Sequence, residues 1–279
     1  MTYEPLSLAE TRDLLTQLGH GPRHSLGQNF LIDANLVRKS VALGKLSPGD
    51  RVVEIGPGLG TLTRALLAAG AEVWAIERDN TLATHLRSTL GHEKRFHLIE
   101  GDAVEHPLAD LPLPEQGFKI IANLPYAISS AWMEAICLGP HPQRMVLMLQ
   151  REAAERLTAE VGTKHWSALT IQVDLAFTRT GLHPVAPGCF HPAPKVDSCL
   201  LVLDQRPDAQ RLSKRARTVA RAIFTQRRKQ VGSAAKRLFP GDTGVEAWIQ
   251  GLSQHGLNPT VRPEGIPSEA WLNFPETSP

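Results

Sequence analysis

VVEIGPGLGTLTRALL, residues 52–67, reads as a strand, a glycine-rich turn and the start of a helix in immediate succession. Gly56, Gly58 and Gly60 allow tight backbone geometry and close ligand approach without a Cβ clash. The helix that follows can stabilise negative charge at its amino terminus. The spacing is GxGxG rather than the GxGxxG of dinucleotide enzymes, so an ordinary turn stays open on this motif alone.

Working outward, short apolar runs alternate with amphipathic segments. RVVEI (51–55), EVWAI (72–76), FHLIE (96–100), FKIIA (118–122) and RMVLML (144–149) have the length and β-branched or aromatic content of strands. Helical patterns lie between them at 59–69, 80–90, 129–138 and 152–158. This alternation predicts βαβ units around a mostly parallel sheet. Two helices precede the sheet, at 7–18 with a capping box from Ser7 to Glu10, and at 33–43 capped by Asp33. GHGPRHSLGQNFLI (19–32) between them is a loop. After residue 168, LTIQVDLAF is ambiguous between helix and strand, and 196–203 reads as a strand. From 205 onward only helices are expected, at about 212–224, 231–238, 244–252 and 267–272. The expected division is therefore 1–204 and 205–279, with the last residues from Pro275 a frayed tail.

The composition is that of a globular chain: 279 residues, 42% hydrophobic, 30 basic and 28 acidic groups, which excludes a disordered polyelectrolyte. Charge is nonetheless uneven. Residues 206–237 carry eleven Lys and Arg against the single acid Asp208, so the rest of the chain is net acidic. Such asymmetry points to a polyanionic partner, with a solvated helix face as the alternative. Cys137, Cys189 and Cys199 form no ligand cluster or disulfide framework, and no histidine has metal-ligand spacing. With no secretory leader and no apolar run long enough to span a bilayer, a cytoplasmic chain with no membrane association and no metal is expected.

The strand ends carry the candidate chemistry. Glu77 closes the second strand, where a carboxylate can accept both ribose hydroxyls, and Asp102 follows the third, where it could receive an adenine amino group. Glu54 either braces the glycine turn or touches the ligand. After the fourth strand, Asn123, Leu124, Pro125 and Tyr126 suit a planar amine: the Asn side-chain oxygen and the Leu124 carbonyl accept its hydrogens, and the Tyr126 ring supports the base.

These residues, together with SLGQNFL (25–31), GDAV (101–104), LQREAAERL (149–157), FHPAPKVDS (190–198) and FTQRRKQV (224–231), give a chain that strongly resembles the ribosomal RNA adenine N6,N6-dimethyltransferases, the KsgA/RsmA family. The erythromycin-resistance methyltransferases are among its relatives. The resemblance covers roughly residues 20–272. It implies an α/β fold: a class I Rossmann-like S-adenosylmethionine-dependent methyltransferase sheet with a small C-terminal all-helical domain. It further implies a cofactor site of Gln28, Asn29, Leu31, Gly56, Gly58, Glu77, Asp102 and Asn123. The catalytic set would be Asn123, Leu124, Pro125, Tyr126 and Phe190, with Tyr126 and Phe190 sandwiching an everted adenine; Phe190 could instead seal the domain junction. Arg221, Arg227, Arg228 and Lys229, read as lying on a helix, would contact phosphates.

The implied substrate is small-subunit ribosomal RNA within an assembling 30S particle, at two adjacent adenines of its last hairpin loop, acted on by a monomer. Ala127 stands where many relatives carry Asn, which affects adenine positioning rather than the reaction. The amino-terminal loop has only Arg23 and His24 where relatives often carry several basic residues. Two other readings stay open: an adenine N6-methyltransferase of large-subunit RNA, and a non-catalytic ribosome-assembly RNA-binding factor.

Overall fold

The computed structural model describes residues 5–23, 27–113 and 115–275; His24 and the Ser25 and Leu26 that open the SLGQNFL motif lie outside them, as do the last four residues. The chain divides into two compact units, Met1–Ala154 with Arg179–Gln205, and Glu155–Thr178 with Arg206–Pro279. The second unit thus includes Glu155–Thr178, which the expected division at 204/205 assigned to the first. The reason is apolar: Trp166, Ile171 and Leu175 belong to the core that Val219, Ile223, Trp248 and Trp271 build.

In the first unit, β2 (Arg51–Ile55), β3 (Glu72–Glu77), β4 (Phe96–Glu100), β5 (Lys119–Asn123) and β6 (Arg144–Gln150) follow the predicted strands closely. The seven-stranded sheet has the order β4-β3-β2-β5-β6-β9-β7, where β9 is Ser198–Gln205 and β7 is Phe177–Val185. From β4 to β6 all neighbours are parallel, and β9 lies antiparallel to β6. Chain order reverses between β2 and β5, so a crevice opens beyond their carboxyl ends, where open α/β sheets bind ligands. Val52, Val73, Ile121, Val146 and Val202, one from each of five strands, bury one sheet face with Val37, Leu62 and Leu66 from the adjoining helices.

Helix α1 (Leu8–Gln17) begins at the capping box of Ser7 and Glu10, and α2 (Ala34–Leu43) at Asp33, whose side chain accepts from the Leu36 N–H. Helix α3 (Thr61–Ala68) starts two residues later than expected because Gly60, with φ of +81°, still belongs to the turn. Helices α4 (Asn80–Leu90) and α5 (Ser129–Leu138) match their patterns, and α6 spans Arg151–Leu157. The ambiguous LTIQVDLAF resolves as helix α7 (Ala168–Ala176), with β7 starting at the Phe177 that closes the run. Apart from its first residue β7 escaped the sequence reading, as did two short strands, β1 (Phe30–Leu31) and β8 (Phe190–His191), which pair antiparallel.

The second unit is helical after residue 206, with α8 (Lys214–Phe224), α9 (Val231–Leu238) and α10 (Thr243–Gly251). The predicted last helix is a 3₁₀ turn, Ser268–Trp271. Two tryptophans of this unit are anchored by polar bonds as well as packing: Trp248 Nε1 donates to the Ala270 carbonyl and Trp166 Nε1 to that of Ile266. Such bonds let a buried indole satisfy its N–H.

Candidate active site

The ends of β2, β3, β4 and β5 and the 27–31 segment line one cleft of the first unit. The glycine turn is shaped by its missing side chains. Gly56, Gly58 and Gly60 all have positive φ, between 61° and 81°. A Cβ on Gly58 would sit 3.3 Å from the Phe30 ring, and one on Gly56 3.4 Å from the Pro125 ring. Pro125 of the NLPY turn is therefore seated directly against the glycine turn across the β2/β5 crevice.

Glu77, 6% exposed, accepts the Gly58 N–H at 3.0 Å through one oxygen and the Asp79 N–H at 2.9 Å through the other. Each carboxylate oxygen has a second lone-pair direction, so the pair of acceptors a ribose diol needs is held in place by backbone donors. Burial pushes the Glu77 carboxyl up, and the neighbouring Asp79 charge acts in the same direction against the backbone donors. Asp102 accepts the Val104 N–H at 2.8 Å and pairs with Arg78 at 3.1 Å, which fixes its orientation at the cleft.

Glu54 also lines the cleft, beneath the turn. It is 1% exposed and one of its oxygens has no partner among the described residues. Burial pushes its carboxyl up to about 8, with Glu77 adding to the effect. At neutral pH it is therefore mainly protonated, whereas the sequence left bracing and ligand contact equally open.

Asn123 Nδ2 donates to the Asn29 carbonyl at 2.8 Å, and Asn29 Nδ2 donates to the Gly27 carbonyl at 3.1 Å. A carbonyl can only accept, so the Asn123 amide is turned with its oxygen away from this bond. The Leu124 N–H is engaged by the Met148 carbonyl of β6. Tyr126, half-buried, donates or accepts a 2.6 Å bond with Ser198 Oγ, while its own carbonyl accepts from Ser129 Oγ. Acceptors at Asn123 and an aromatic face at Tyr126 make a seat for a planar exocyclic amine.

Two expectations are corrected, for Phe190 and for the basic run at 227–229. Phe190 does not line this cleft: it is 2% exposed, pairs with Leu31 through β1 and β8, and belongs to the sheet core. A core position fits an aromatic paired with Leu31, so of the two rings expected to sandwich the base Tyr126 alone lines the cleft. Gln28 borders the cleft as expected, with its amide held in place: Oε1 accepts the Arg23 N–H and meets His20, and Nε2 donates to Asp79 at 3.2 Å. Arg227, Arg228 and Lys229 lie on the turn between α8 and α9, not on a helix, because α8 is capped at Thr225. Arg228 and Lys229 are exposed there, as is Arg221 on α8, while the Arg227 guanidinium lies over the Phe224 ring at 5.9 Å.

Sequence reasoning missed Asp79. It is fully buried, caps α4 through the Thr81 and Leu82 N–H groups, and receives Gln28 and Arg23, so it ties the amino-terminal loop to Glu77. Its signal was present, since an Asp before NTLATHL is an N-cap. Among the described residues no group of three His, Cys, Asp or Glu is placed to hold a metal ion, and no helix is long and apolar enough to cross a membrane. Burial raises the Cys189 thiol, which makes it a poor nucleophile.

The chain is similar to known proteins over most of its length. Residues 19–276 match the family model described as ribosomal RNA adenine dimethylase. A ribosomal RNA small subunit methyltransferase A from Opitutus terrae is 52% identical over 270 residues, covering 96% of this chain and 97% of its own. One from Synechococcus sp. is 35% identical over 91% of this chain and 95% of its own. Among solved structures, a dimethyladenosine transferase from Plasmodium falciparum superposes with a TM-score of 0.72 at 25% identity, covering 88% of this chain and 95% of that one. The 23S rRNA methyltransferase ErmE gives 0.63 at 26% identity, covering 88% and 98%.

Proposed function

The chain belongs to the ribosomal RNA adenine dimethylase family, a family of S-adenosylmethionine-dependent methyltransferases, and from that premise we propose that it dimethylates N6 of two adjacent adenines in the 3′-terminal hairpin loop of small-subunit (16S) ribosomal RNA. It does so as a cytoplasmic monomer on an assembling 30S particle, with S-adenosylmethionine as methyl donor and neither a metal nor a membrane involved. The observation that carries the reading is the Asn123 amide, anchored through its nitrogen to Asn29 so that its oxygen is left for an amine. The small-subunit names borne by relatives as similar as 52% support the choice of RNA.

The cleft fits the cofactor on its own features: two glycines whose Cβ atoms would fill it, Glu77 positioned for a diol, and a buried Glu54 oxygen without a partner among the described residues. Glu77 and Asp102 would hold the nucleoside, and Gly56, Gly58, Asn29 and Leu31 the remainder. Bound there, the cofactor supplies an electrophilic methyl group on sulfur. What the protein must add is alignment and a better nucleophile. Asn123 Oδ1 and the Leu124 carbonyl accept the amine hydrogens, which draws the nitrogen lone pair out of conjugation with the ring. Tyr126 holds the base by stacking. No strong general base is required, because an N6 that had gained the methyl group would be cationic and acidic enough to release its proton to water. Ala127, exposed after Tyr126, leaves space beside the turn rather than a further polar contact.

The similarity to a 23S rRNA methyltransferase keeps large-subunit RNA as the second reading. Purified protein is to be assayed on immature small subunits, naked small-subunit RNA and large-subunit RNA, with mapping of the methylated nucleotides. N6,N6-dimethyladenosine at two adjacent small-subunit adenines is expected; methyl groups confined to large-subunit RNA refute the assignment, and methylation of neither RNA leaves a binding factor.

A further inference from the structure

The FHPAPKVDS segment (190–198) is prominent in the sequence, yet its aromatic, Phe190, is buried in the core. Its last residue, by contrast, reaches the site. We propose that Ser198 is a positioning residue for methyl transfer, holding the Tyr126 hydroxyl and thereby the plane of the ring on which the target adenine stacks. The proposal rests on the adenine N6 reading of the site given above.

Ser198 has the rigidity this task needs. It is 1% exposed and opens β9, where it pairs with Gln150 of β6. The same β6 accepts the Leu124 N–H through Met148, two residues before Tyr126 in the chain. The turn and the serine are thus referenced to one strand. Tyr126 is held at both ends, by Ser198 at the hydroxyl (2.6 Å) and by Ser129 at the backbone carbonyl (3.1 Å). A half-buried phenol needs a hydrogen-bond partner, and Ser198 is the partner this one has in the structure. Without it the ring keeps its area but loses a fixed orientation, and misorientation of a stacked base takes the amine out of line with the methyl donor. Burial raises the Tyr126 phenol above its ordinary range, the Ser198 bond opposing that rise, so the hydroxyl stays neutral and acts as an anchor rather than a proton carrier.

The test compares Ser198→Ala, Tyr126→Phe and the double variant of the full chain in single-turnover transfer at saturating RNA and cofactor. The RNA is the immature small subunit, or large-subunit RNA if only that is methylated by the parent. Each single variant should transfer about tenfold more slowly, the effect of one lost hydrogen bond. The double variant should be no slower than either single one, and cofactor Kd by calorimetry should stay within about twofold of the parent. A second readout needs no RNA. The chain has two tyrosines, Tyr3 and Tyr126, so in a Tyr3→Phe background alkaline absorbance titration reads Tyr126 alone, and Ser198→Ala should move its midpoint upward.

An unchanged midpoint, an unchanged transfer rate in Tyr126→Phe, or additive losses in the double variant overturn the proposal. Should Ser198→Ala fail to fold, Tyr126→Phe removes the same bond from the other side and decides alone. A parent inactive on small subunits but active on large ones refutes the substrate assignment while the ratios of variant to parent still test the positioning role.

Discussion

Replacing Glu54 by Gln should change how stability depends on pH, and the size of the effect follows from where Glu54 lies. The carboxyl is buried under the glycine turn with one oxygen lacking a partner among the described residues, and burial raises it from 4.5 to about 8. The folded chain therefore holds a proton that the unfolded chain releases between those values. Because the folded state binds more protons, this group's contribution is fully favourable below about pH 4.5 and is lost as pH rises through about 8. Between pH 6 and pH 8 the loss comes to about 2 kcal/mol. Glu77, also raised and coupled to Glu54 by charge, shares in that value. Gln keeps the shape and cannot ionise. Urea unfolding without cofactor at pH 6 and pH 8 should show the variant gaining about 2 kcal/mol on the parent over that interval. If the difference between the two proteins is the same at both pH values, Glu54 is ionised in the folded state and the account of a protonated carboxyl under the turn is wrong.

Glu77→Ala should weaken S-adenosylmethionine binding by about 1 to 3 kcal/mol in calorimetry, because the diol acceptors go and the Gly58 and Asp79 N–H groups lose their partner. Asn123→Ala should slow single-turnover transfer far more than it weakens cofactor binding; equal losses in both would remove the amine acceptor role. Gly58→Ala forces a side chain into φ of +61° and against the Phe30 ring, so it should cost about 1 to 2 kcal/mol in thermal unfolding. The triple variant Arg227→Glu, Arg228→Glu, Lys229→Glu should bind small subunits more weakly and with a shallower salt dependence, leaving cofactor affinity unchanged. Equal affinity and equal salt slope would take that turn out of RNA recognition.

The parallel sheet was legible because each of β2 to β6 is a largely apolar run bounded by a helix signal. β1 and β8 were not, since a two-residue strand has no period to detect; only the fold brings Phe30 opposite His191. The same limit explains Phe190. Its motif announces a functional loop, but which side of a two-residue strand faces the cleft depends on a pairing that local sequence does not encode. Glu77, Asp102 and Asn123 were found because they stand at strand ends, and strand ends converge by topology. The bond between Gln28 and Asp79 spans 51 positions and that between Tyr126 and Ser198 spans 72, and such bonds leave no spacing to read. Glu155–Thr178 went to the wrong unit because the boundary was set where strands cease, after 196–203, and chain order is a weak guide to which core claims a helix.

On the adenine reading proposed above, the bond from Asn123 Nδ2 to the Asn29 carbonyl would make the site a polarity filter as well as a seat. With the amide nitrogen engaged, the side-chain oxygen and the backbone carbonyl of Leu124 would both offer lone pairs to the nucleobase. A keto oxygen in the position of the amine, as in guanine or inosine, would face acceptors with nothing to donate. Such a base would be refused by electrostatic mismatch without any steric clash, and a deaminated adenine in the proposed hairpin would be refused in the same way. Base identity would then be enforced by the segment that carries Asn29, a residue outside the proposed adenine seat.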